Sequence, residues 1–235
     1  MRRISENTST FKKLKAMKRL KGMIGALCLA CAAMASCSAP AAQKEAANGE
    51  ANAENGKNAV IENILTRRSI RKYLPQAVNR DTMQVILNCG INAPNGQNKQ
   101  SWEVRVVDNP AFIDGLTEIY KKENPQAAAD PGFKNMFRNA PTVVFIANDG
   151  AYDFSQVDCG LLAGNMMLSA WSMGIGSCCL GGPARFMTTS PAAAEYLKKL
   201  DFPEGYKLLL CIAFGYPDEA PAAKPRNAAK VRFID

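Results

Sequence analysis

One short segment of the chain concentrates permanent positive charge, at Arg67-Arg68-Ser69-Ile70-Arg71. Three guanidinium groups and a hydroxyl within five residues would suit a dianionic phosphate, because arginine offers paired and permanently charged donors. A basic helix end that complements the helix dipole would explain the same residues without any ligand. This segment, called the arginine segment below, therefore leaves a phosphate site and a solvated helix end both open.

A second polar cluster lies about twenty residues further on. Residues 94–100, here called the amide loop, read Pro-Asn-Gly-Gln-Asn-Lys-Gln and lead into Ser101-Trp102. Amide side chains present donors and acceptors together, which suits the polar edge of an isoalloxazine or a nucleobase. A polar turn before a strand is the alternative, so this cluster is only mildly specific on its own.

Several classes of chemistry are excluded by what the sequence lacks. The chain has no histidine, which excludes Ser-His-Asp and Cys-His hydrolases and every metal site that needs an imidazole. No Gly-x-Gly-x-x-Gly follows a predicted strand and no Gly-x4-Gly-Lys-Ser/Thr occurs, so neither a Rossmann site nor a P-loop is supported. The remaining cysteines lack zinc-ribbon spacing, and we predict no metal site. We therefore expect a bound cofactor to supply the chemistry.

The net charge of +8 is concentrated in the first residues of the chain. Residues 1–36 hold eight Lys/Arg and one acidic residue, whereas the rest of the chain is almost balanced. A folded domain with balanced charge has no electrostatic footprint for DNA or RNA. We predict that the protein does not bind nucleic acid.

The first residues resemble an export signal. Basic residues precede a short apolar stretch over 23–35, which is too short to span a bilayer stably. Met34-Ala35-Ser36-Cys37 resembles a bacterial lipobox, which predicts a signal peptide over 1–36 and lipidation of Cys37. An ordinary cleaved signal peptide is the alternative, and Met17 is an alternative start. We expect an exported protein, lipid-anchored to the cell envelope and facing the periplasm.

The rest of the chain divides into a tether and one folded domain. Residues 37–57 carry no large apolar side chain after the cysteine, which predicts a disordered tether. Residues 58–235 contain helical and strand periodicities interspersed, which predicts an α+β (mixed α/β) class with a central mixed sheet flanked by helices. The predicted helices are 59–66, 81–89, 110–122, 155–173 and 192–200, and the predicted strands are 102–107, 141–147, 175–180, 206–214 and an edge strand at 231–234.

The order of these motifs resembles the nitroreductase family of FMN enzymes. An Arg-Arg-Ser-x-Arg segment followed by Ala-Pro-x-x-x-Asn-x-Gln-x-Trp is the first match. Asn139-Ala140-Pro141, the long helix after Asp158, the Gly174-Ile175-Gly176-Ser177 segment, Gly215-Tyr216-Pro217 and Lys224-Pro225-Arg226 follow in the family's order. The resemblance covers almost all of 58–235 and implies a nitroreductase-like fold in an intertwined homodimer.

The resemblance also implies roles for particular residues. Those that would hold the FMN phosphate and ribityl end are Arg67, Arg68, Ser69 and Arg71, with Lys224 and Arg226 closing from the other side. Those that would lie along the flavin ring are Pro94, Asn95, Gly96 and Asn98, with Gln100 as the family glutamine before the strand. Backbone N–H groups at Leu180, Gly181 and Gly182 would approach flavin N5. Gly181 stands where many members carry Glu, which puts the substrate preference of that side chain in doubt.

The activity implied is hydride transfer through the flavin to a small-molecule acceptor. Nitroaromatics, quinones and other conjugated acceptors are expected, with NAD(P)H as a possible electron donor. Dehalogenation, flavin breakdown, or flavin binding without catalysis by a surface lipoprotein are the alternatives, because a fold does not fix a function. Cys178-Cys179 would precede the N5 loop, either as a thiol pair that exchanges electrons with the flavin or as two small residues in a buried strand.

Overall fold

The computed structural model describes residues 58–234 of the chain. The predicted signal peptide, the tether and Cys37 lie outside these residues. The helices are α1 (Ala59–Thr66), α2 (Arg80–Ile91), α3 (Pro110–Glu123), α4 (Pro125–Ala129), α5 (Ser155–Ser172), α6 (Gly181–Thr189) and α7 (Ala194–Lys199). The strands are β1 (Trp102–Val107), β2 (Thr142–Asp149), β3 (Gly176–Leu180) and β4 (Tyr206–Gly215). No helix in this part of the chain is long and apolar enough to cross a bilayer.

The strands form one sheet in the order β1-β2-β4-β3, with β2 and β4 at its centre. All three strand pairs are antiparallel, and the parallel pairing within the described residues is the isolated bridge between Ser69 and Ser177. The α+β class is thus confirmed, whereas the predicted mixed sheet is antiparallel in its four strands, because the one parallel pairing of the described chain is that isolated bridge.

Alternation along β2 divides the core into two layers. Val143 and Phe145 point into one apolar cluster, with side chains of α3 and α6, whereas Val144 and Ile146 point into the other, with side chains of α2 and α5. Successive side chains of a strand face opposite sides of a sheet, so a strand covered on both faces is apolar throughout. The sheet is therefore the middle of three layers.

Local signals set the helix ends as the sequence indicates. The side chains of Asn58 and Asn79 accept hydrogen bonds from the first turns of α1 and α2, which satisfies backbone donors that have no partner inside the helix. α5 ends where Gly174 adopts φ +73° and Ile175 N–H donates to the Ala170 carbonyl, a turn that favours glycine.

Two predicted elements need correction. Residues 231–234 form no strand, and Val231 and Phe233 are 82% and 97% exposed, because no neighbouring strand within the described residues offers them backbone partners. The helix predicted over 192–200 is a 3₁₀ turn at Pro191–Ala193 followed by α7, since the proline fixes the start of the turn. α6 was not predicted at all.

Candidate active site

The arginine segment lies across the edge of the sheet, on two glycines. Gly176 of β3 and Gly215 of β4 are paired in register. A Cβ on Gly176 would come within 2.9 Å of Ile70, and a Cβ on Gly215 within 2.8 Å of the Tyr73 ring. Because only glycine allows so close an approach, this pair determines where the arginine segment sits.

Backbone bonds hold the segment on this platform. Ile70 N–H donates to the Ser177 carbonyl and Leu74 N–H donates to the Tyr216 carbonyl, at 3.0 and 2.9 Å. The Tyr73 hydroxyl is buried and donates to the Ile70 carbonyl, and desolvation raises the pKa of that phenol well above its usual range. The segment is thus anchored at both ends, with its charged side chains left for other contacts.

Two buried polar atoms in this corner have no hydrogen-bond partner among the described residues. They are Arg67 Nη1 and Ser177 Oγ. Arg67 precedes the Ser69–Ser177 bridge by two residues, so the backbones of Arg67 and Ser177 lie in the same region of the fold. An unpaired buried polar group is costly, which marks this corner as a place built for a ligand. A guanidinium N–H and a hydroxyl are donors that fit a phosphate.

The arginine side chains are not equivalent. Arg68 Nη1 donates to the carbonyls of Leu65 and Arg67, so this guanidinium closes the end of α1. Arg71 Nη1 has one weak bond to the Ser69 carbonyl at 3.2 Å, and Arg71 lines a concavity at this edge of the fold. Both interpretations of the segment therefore apply: Arg68 caps a helix, whereas Arg67 and Arg71 remain for a ligand.

A cavity of about 610 Å³ opens beside the arginine segment. Its wall includes Arg71 and the end of β3 with the first turn of α6, from Cys178 to Pro183. The first turn of α6 has no side-chain cap, and neither Gly181 nor Gly182 has an atom within 4 Å of where a Cβ would stand. The N–H groups of this first turn have no partner within the helix, and the turn is part of the cavity wall, so they are candidate donors for an electron-rich ring atom.

The five described cysteines are free thiols; three of them are buried, Cys89 is half-buried and Cys179 is exposed. Cys178 is 3% exposed, whereas the neighbouring Cys179 is exposed and lines the cavity. The interpretation of both residues as parts of a buried strand is therefore wrong for Cys179. Desolvation raises the pKa of both thiols above the usual range.

The amide loop lies elsewhere in the chain, against the start of α5. Asp158 is 2% exposed and accepts from Gly96 N–H at 2.9 Å and from Ser101 Oγ at 2.7 Å. The side-chain oxygen of Asn95 accepts from Gln100 N–H at 2.9 Å. Pro94, Asn98 and Gln100 are exposed. The loop is therefore fixed from within and presents its remaining amides outward.

The amide loop and the arginine segment sit at opposite ends of α5. The indole N–H of Trp171 donates to Thr66 Oγ1 at 3.0 Å, which ties the end of α1 to the last turn of α5. Asp158 binds the loop in the first turn, thirteen residues earlier, and this corresponds to about 20 Å along a helix. Within one chain, the structure does not bring these two predicted halves of the site together.

Lys224 and Arg226 are likewise not brought to the arginine segment. Both are exposed, and Arg226 Nη1 donates only a weak bond at 3.4 Å to the Lys224 carbonyl. The C-terminal segment does return to the arginine segment earlier, where Tyr73 bridges to Pro217 and Arg71 N–H donates to the Glu219 carboxylate.

The loop over 130–139, called the cavity loop, was not predicted as part of the site. It contributes Asn135, Arg138 and Asn139 to the cavity wall. Arg138 and Asn139 both have left-handed backbones, with φ of +61° and +62°. Six non-glycine residues have positive φ in the described chain, and five of them lie in this loop or the amide loop. Such strain, about 1–3 kcal/mol per residue, concentrates at functional sites, and no residue type in the sequence reveals it.

Comparison with known proteins agrees with this geometry. A sequence model of the nitroreductase family matches residues 64–216. An NADPH-flavin oxidoreductase of Vibrio harveyi is 30% identical over 196 residues, which cover 74% of this chain and 72% of that protein. A nitroreductase with bound FMN from Bacteroides fragilis superposes with a TM-score of 0.68 at 28% identity, covering 76% of this chain and all of that one.

The chain belongs to the nitroreductase family. Its class is that of the FMN-dependent oxidoreductases, as the resemblance implied. A second structural relative, the NADPH:FMN oxidoreductase of Vibrio harveyi complexed with NAD⁺, has a TM-score of 0.58 at 25% identity, over 76% of this chain and 77% of that one.

Proposed function

We propose that this protein reduces nitroaromatics, quinones or similar conjugated acceptors with electrons held on FMN. The observation that carries the cofactor assignment is the unpaired pair Arg67 Nη1 and Ser177 Oγ, next to a cavity that the N–H groups of α6 can reach. The FMN phosphate would accept hydrogen bonds from both buried donors, and the isoalloxazine ring would extend into the cavity. When bound, FMN supplies hydride transfer at its ring.

The residues of the protein would bind the FMN phosphate, orient the flavin ring and stabilise the charge that develops on it. Arg67, Ser69 and Arg71 would hold the phosphate and ribityl end, through charge-assisted bonds that are stronger than neutral ones. The N–H groups of Gly181 and Gly182 would donate to the ring, where the partial positive charge of a helix start favours electron density. No histidine is available as a proton donor, so water entering the open cavity would supply the proton.

A second copy of the chain would complete the site. α5 exposes an apolar face at Val157 and Leu161 that continues through Gly160 and Gly164, and no atom lies within 4 Å of a Cβ built on either glycine. α1 has no buried residue, and four of its apolar side chains are exposed. Its eight residues are too few for a helix to be stable without packing partners. Both features favour a partner on this side.

Twofold symmetry explains how the separated halves would meet. A homodimer that pairs α5 with its copy in antiparallel orientation places the start of one helix beside the end of the other. The amide loop of one chain would then lie near the arginine segment of its partner. This supports a homodimer in which Pro94, Asn95, Gly96, Asn98 and Gln100 contact the flavin bound mainly by the other chain.

Flavin content tests the cofactor site. Arg67→Ala and Arg71→Ala should purify with little or no yellow colour, whereas Arg80→Ala, which removes a surface guanidinium bound to Asp108, should keep its FMN. Absorbance at the flavin band against protein concentration measures the stoichiometry. A double variant of Arg67 and Arg71 with full FMN content would refute this site.

Anaerobic reduction tests the reaction. The purified protein is mixed with NADH, NADPH or a quinol in parallel, and bleaching of the flavin is followed before a nitroaromatic or a quinone is added. Bleaching by a donor and recovery with an acceptor are expected. A flavin that only dithionite bleaches, and that no acceptor reoxidises, would instead indicate flavin binding without catalysis.

We also propose export and anchoring through Cys37, supported by the lipobox-like sequence and the tether-like composition that follows it. Such a location would separate the domain from cytoplasmic NAD(P)H, so a membrane quinol or a redox protein would be the donor. Detergent phase partition of the full chain and of Cys37→Ser tests the anchor. A full chain found in the cytosolic fraction would refute the anchor and remove the need for a second donor.

A further inference from the structure

The cavity beside α6 is lined by more positive charge than a flavin site explains. Arg71, Lys72 and Arg138 contribute cations to its wall, and Asp130 is the one acidic residue among its lining residues in the described chain. The Asp130 carboxylate is already used, because it accepts from Gly132 N–H at 2.8 Å. The proposed FMN site needs Arg71, which leaves Lys72 and Arg138 without an assigned role.

Arg138 is held in place by an unusual backbone. Its φ of +61° is a conformation that arginine rarely adopts. The next residue, Asn139, fastens the loop around it: its side-chain oxygen accepts from the N–H groups of Lys134 and Asn135, both at 2.8 Å, and its amide donates to the Gly132 carbonyl at 2.9 Å. Three bonds from one side chain thus fix the turn that carries Arg138.

The Arg138 guanidinium itself is uncommitted. It forms no hydrogen bond and no ion pair with any residue between 58 and 234 that the structure describes, and the residue is exposed. Its charge nevertheless acts on the cavity floor, where it lowers the pKa of the Cys178 thiol against the larger effect of desolvation. A strained backbone that presents a free cation to a cavity is the arrangement expected of a ligand contact.

We infer that Arg138 is a specificity-determining residue that binds an anionic group of the molecule that reacts with the flavin. The group is a carboxylate on the acceptor or the 2′-phosphate of a nicotinamide donor, since a guanidinium pairs with either through two parallel bonds. The inference rests on the proposed function for the place of the flavin, because the same cavity must hold ring and substrate together.

Pairs of ligands in which one member carries an extra anionic group test this inference. The holoprotein and its Arg138→Gln variant are titrated with benzoate and with benzamide, which cannot be reduced, and binding is followed through the flavin absorbance. Turnover is then compared for 4-nitrobenzoate against 4-nitrobenzamide and for NADPH against NADH. Loss of a charge-assisted contact should weaken the member that carries the extra anionic group by on the order of tenfold or more, and leave its counterpart unchanged.

Matched variants separate this role from a general effect of charge. Lys134→Gln removes one positive charge from the same loop, but Lys134 does not line the cavity, so its preferences should equal those of the wild type. Arg138→Lys should restore part of the preference. The acceptor pair and the donor pair together show which molecule carries the anion, and an effect on either one supports the inference.

Three results would overturn the inference. They are an unchanged preference for the member with the extra anionic group in every pair in Arg138→Gln, an equal loss in Lys134→Gln, or loss of FMN from Arg138→Gln, which would assign the residue to the cofactor. Failure of the proposed reaction is distinguishable from these, because a wild-type protein that turns over no acceptor but binds benzoate through Arg138 would refute the reaction and keep the anion site.

Discussion

Asp158 should determine whether the amide loop keeps its shape, and its replacement gives the sharpest test of the fold around the site. The carboxylate is almost fully buried and accepts from Gly96 N–H and Ser101 Oγ. Asp158→Ala leaves both donors without a partner in the interior. Bonds to a charged acceptor are each worth about 1.5–3 kcal/mol, so loss of the two should lower the free energy of unfolding by about 3–6 kcal/mol.

Thermal and chemical unfolding measure this loss. For a domain of this size about 1 kcal/mol corresponds to about 2–4 °C, so the midpoint of Asp158→Ala should fall by roughly 10 °C. Asp158→Asn keeps one acceptor oxygen and should lose about half as much. Asp153→Ala removes an exposed carboxylate before the same helix and should change the midpoint by little.

A double-mutant cycle with Ser101→Ala isolates the shared bond. The two replacements should be less than additive by about 1–2 kcal/mol, because each removes one side of the same contact. Full additivity, or an Asp158→Ala protein as stable as the wild type, would refute the reasoning. FMN affinity adds a second readout, since a loosened amide loop should weaken binding in the dimer while Asp153→Ala should not.

Three further outcomes follow from the packing and the thiols. Gly90→Ala should lower the free energy of unfolding by about 1–3 kcal/mol, because its Cβ would meet the buried Met166 side chain at 2.5 Å; circular dichroism melts measure it. Gly164→Leu should fold normally but sediment as a monomer, and a stable dimer would contradict the proposed α5 interface. Cys179 should be alkylated by iodoacetamide more slowly than free cysteine at pH 8, because its pKa is raised, and the rate should rise only at higher pH. Cys179→Ser identifies the labelled site by mass.

The sequence predicted the elements that carry strong periodicity. α1 and β1 begin and end at the predicted residues, because the apolar spacing of the first fits only a helix and the alternation of the second fits only a strand. α6 was missed because Gly181-Gly182-Pro183 resembles a helix breaker. In the first turn of a helix, however, backbone N–H groups have no partner to lose, so glycine and proline are tolerated there.

The sequence predicted which residues belong to the candidate site, but it did not predict how those residues are arranged in space. The arginine segment and the end of β3 do meet at one cavity, since both flank the paired glycines. The distance between the amide loop and the arginine segment depends on which end of α5 each one contacts, and no local pattern encodes that. The strand expected at 231–234 failed for a related reason, because a β-branched run indicates a strand only where a neighbour is available.

The paired glycines Gly176 and Gly215, on which the arginine segment lies, also determine when the cofactor site can form during folding. The arginine segment is near the start of the domain, yet its Ser69 bridges to Ser177, and Tyr73, two residues after the segment, bridges to Pro217. A chain that emerges from its N-terminus therefore has no complete phosphate site until almost the whole domain has been synthesised and the last strand is paired. A chain translocated in the unfolded state would have to acquire its flavin on the far side of the membrane, so the supply of cofactor there would limit the amount of active protein.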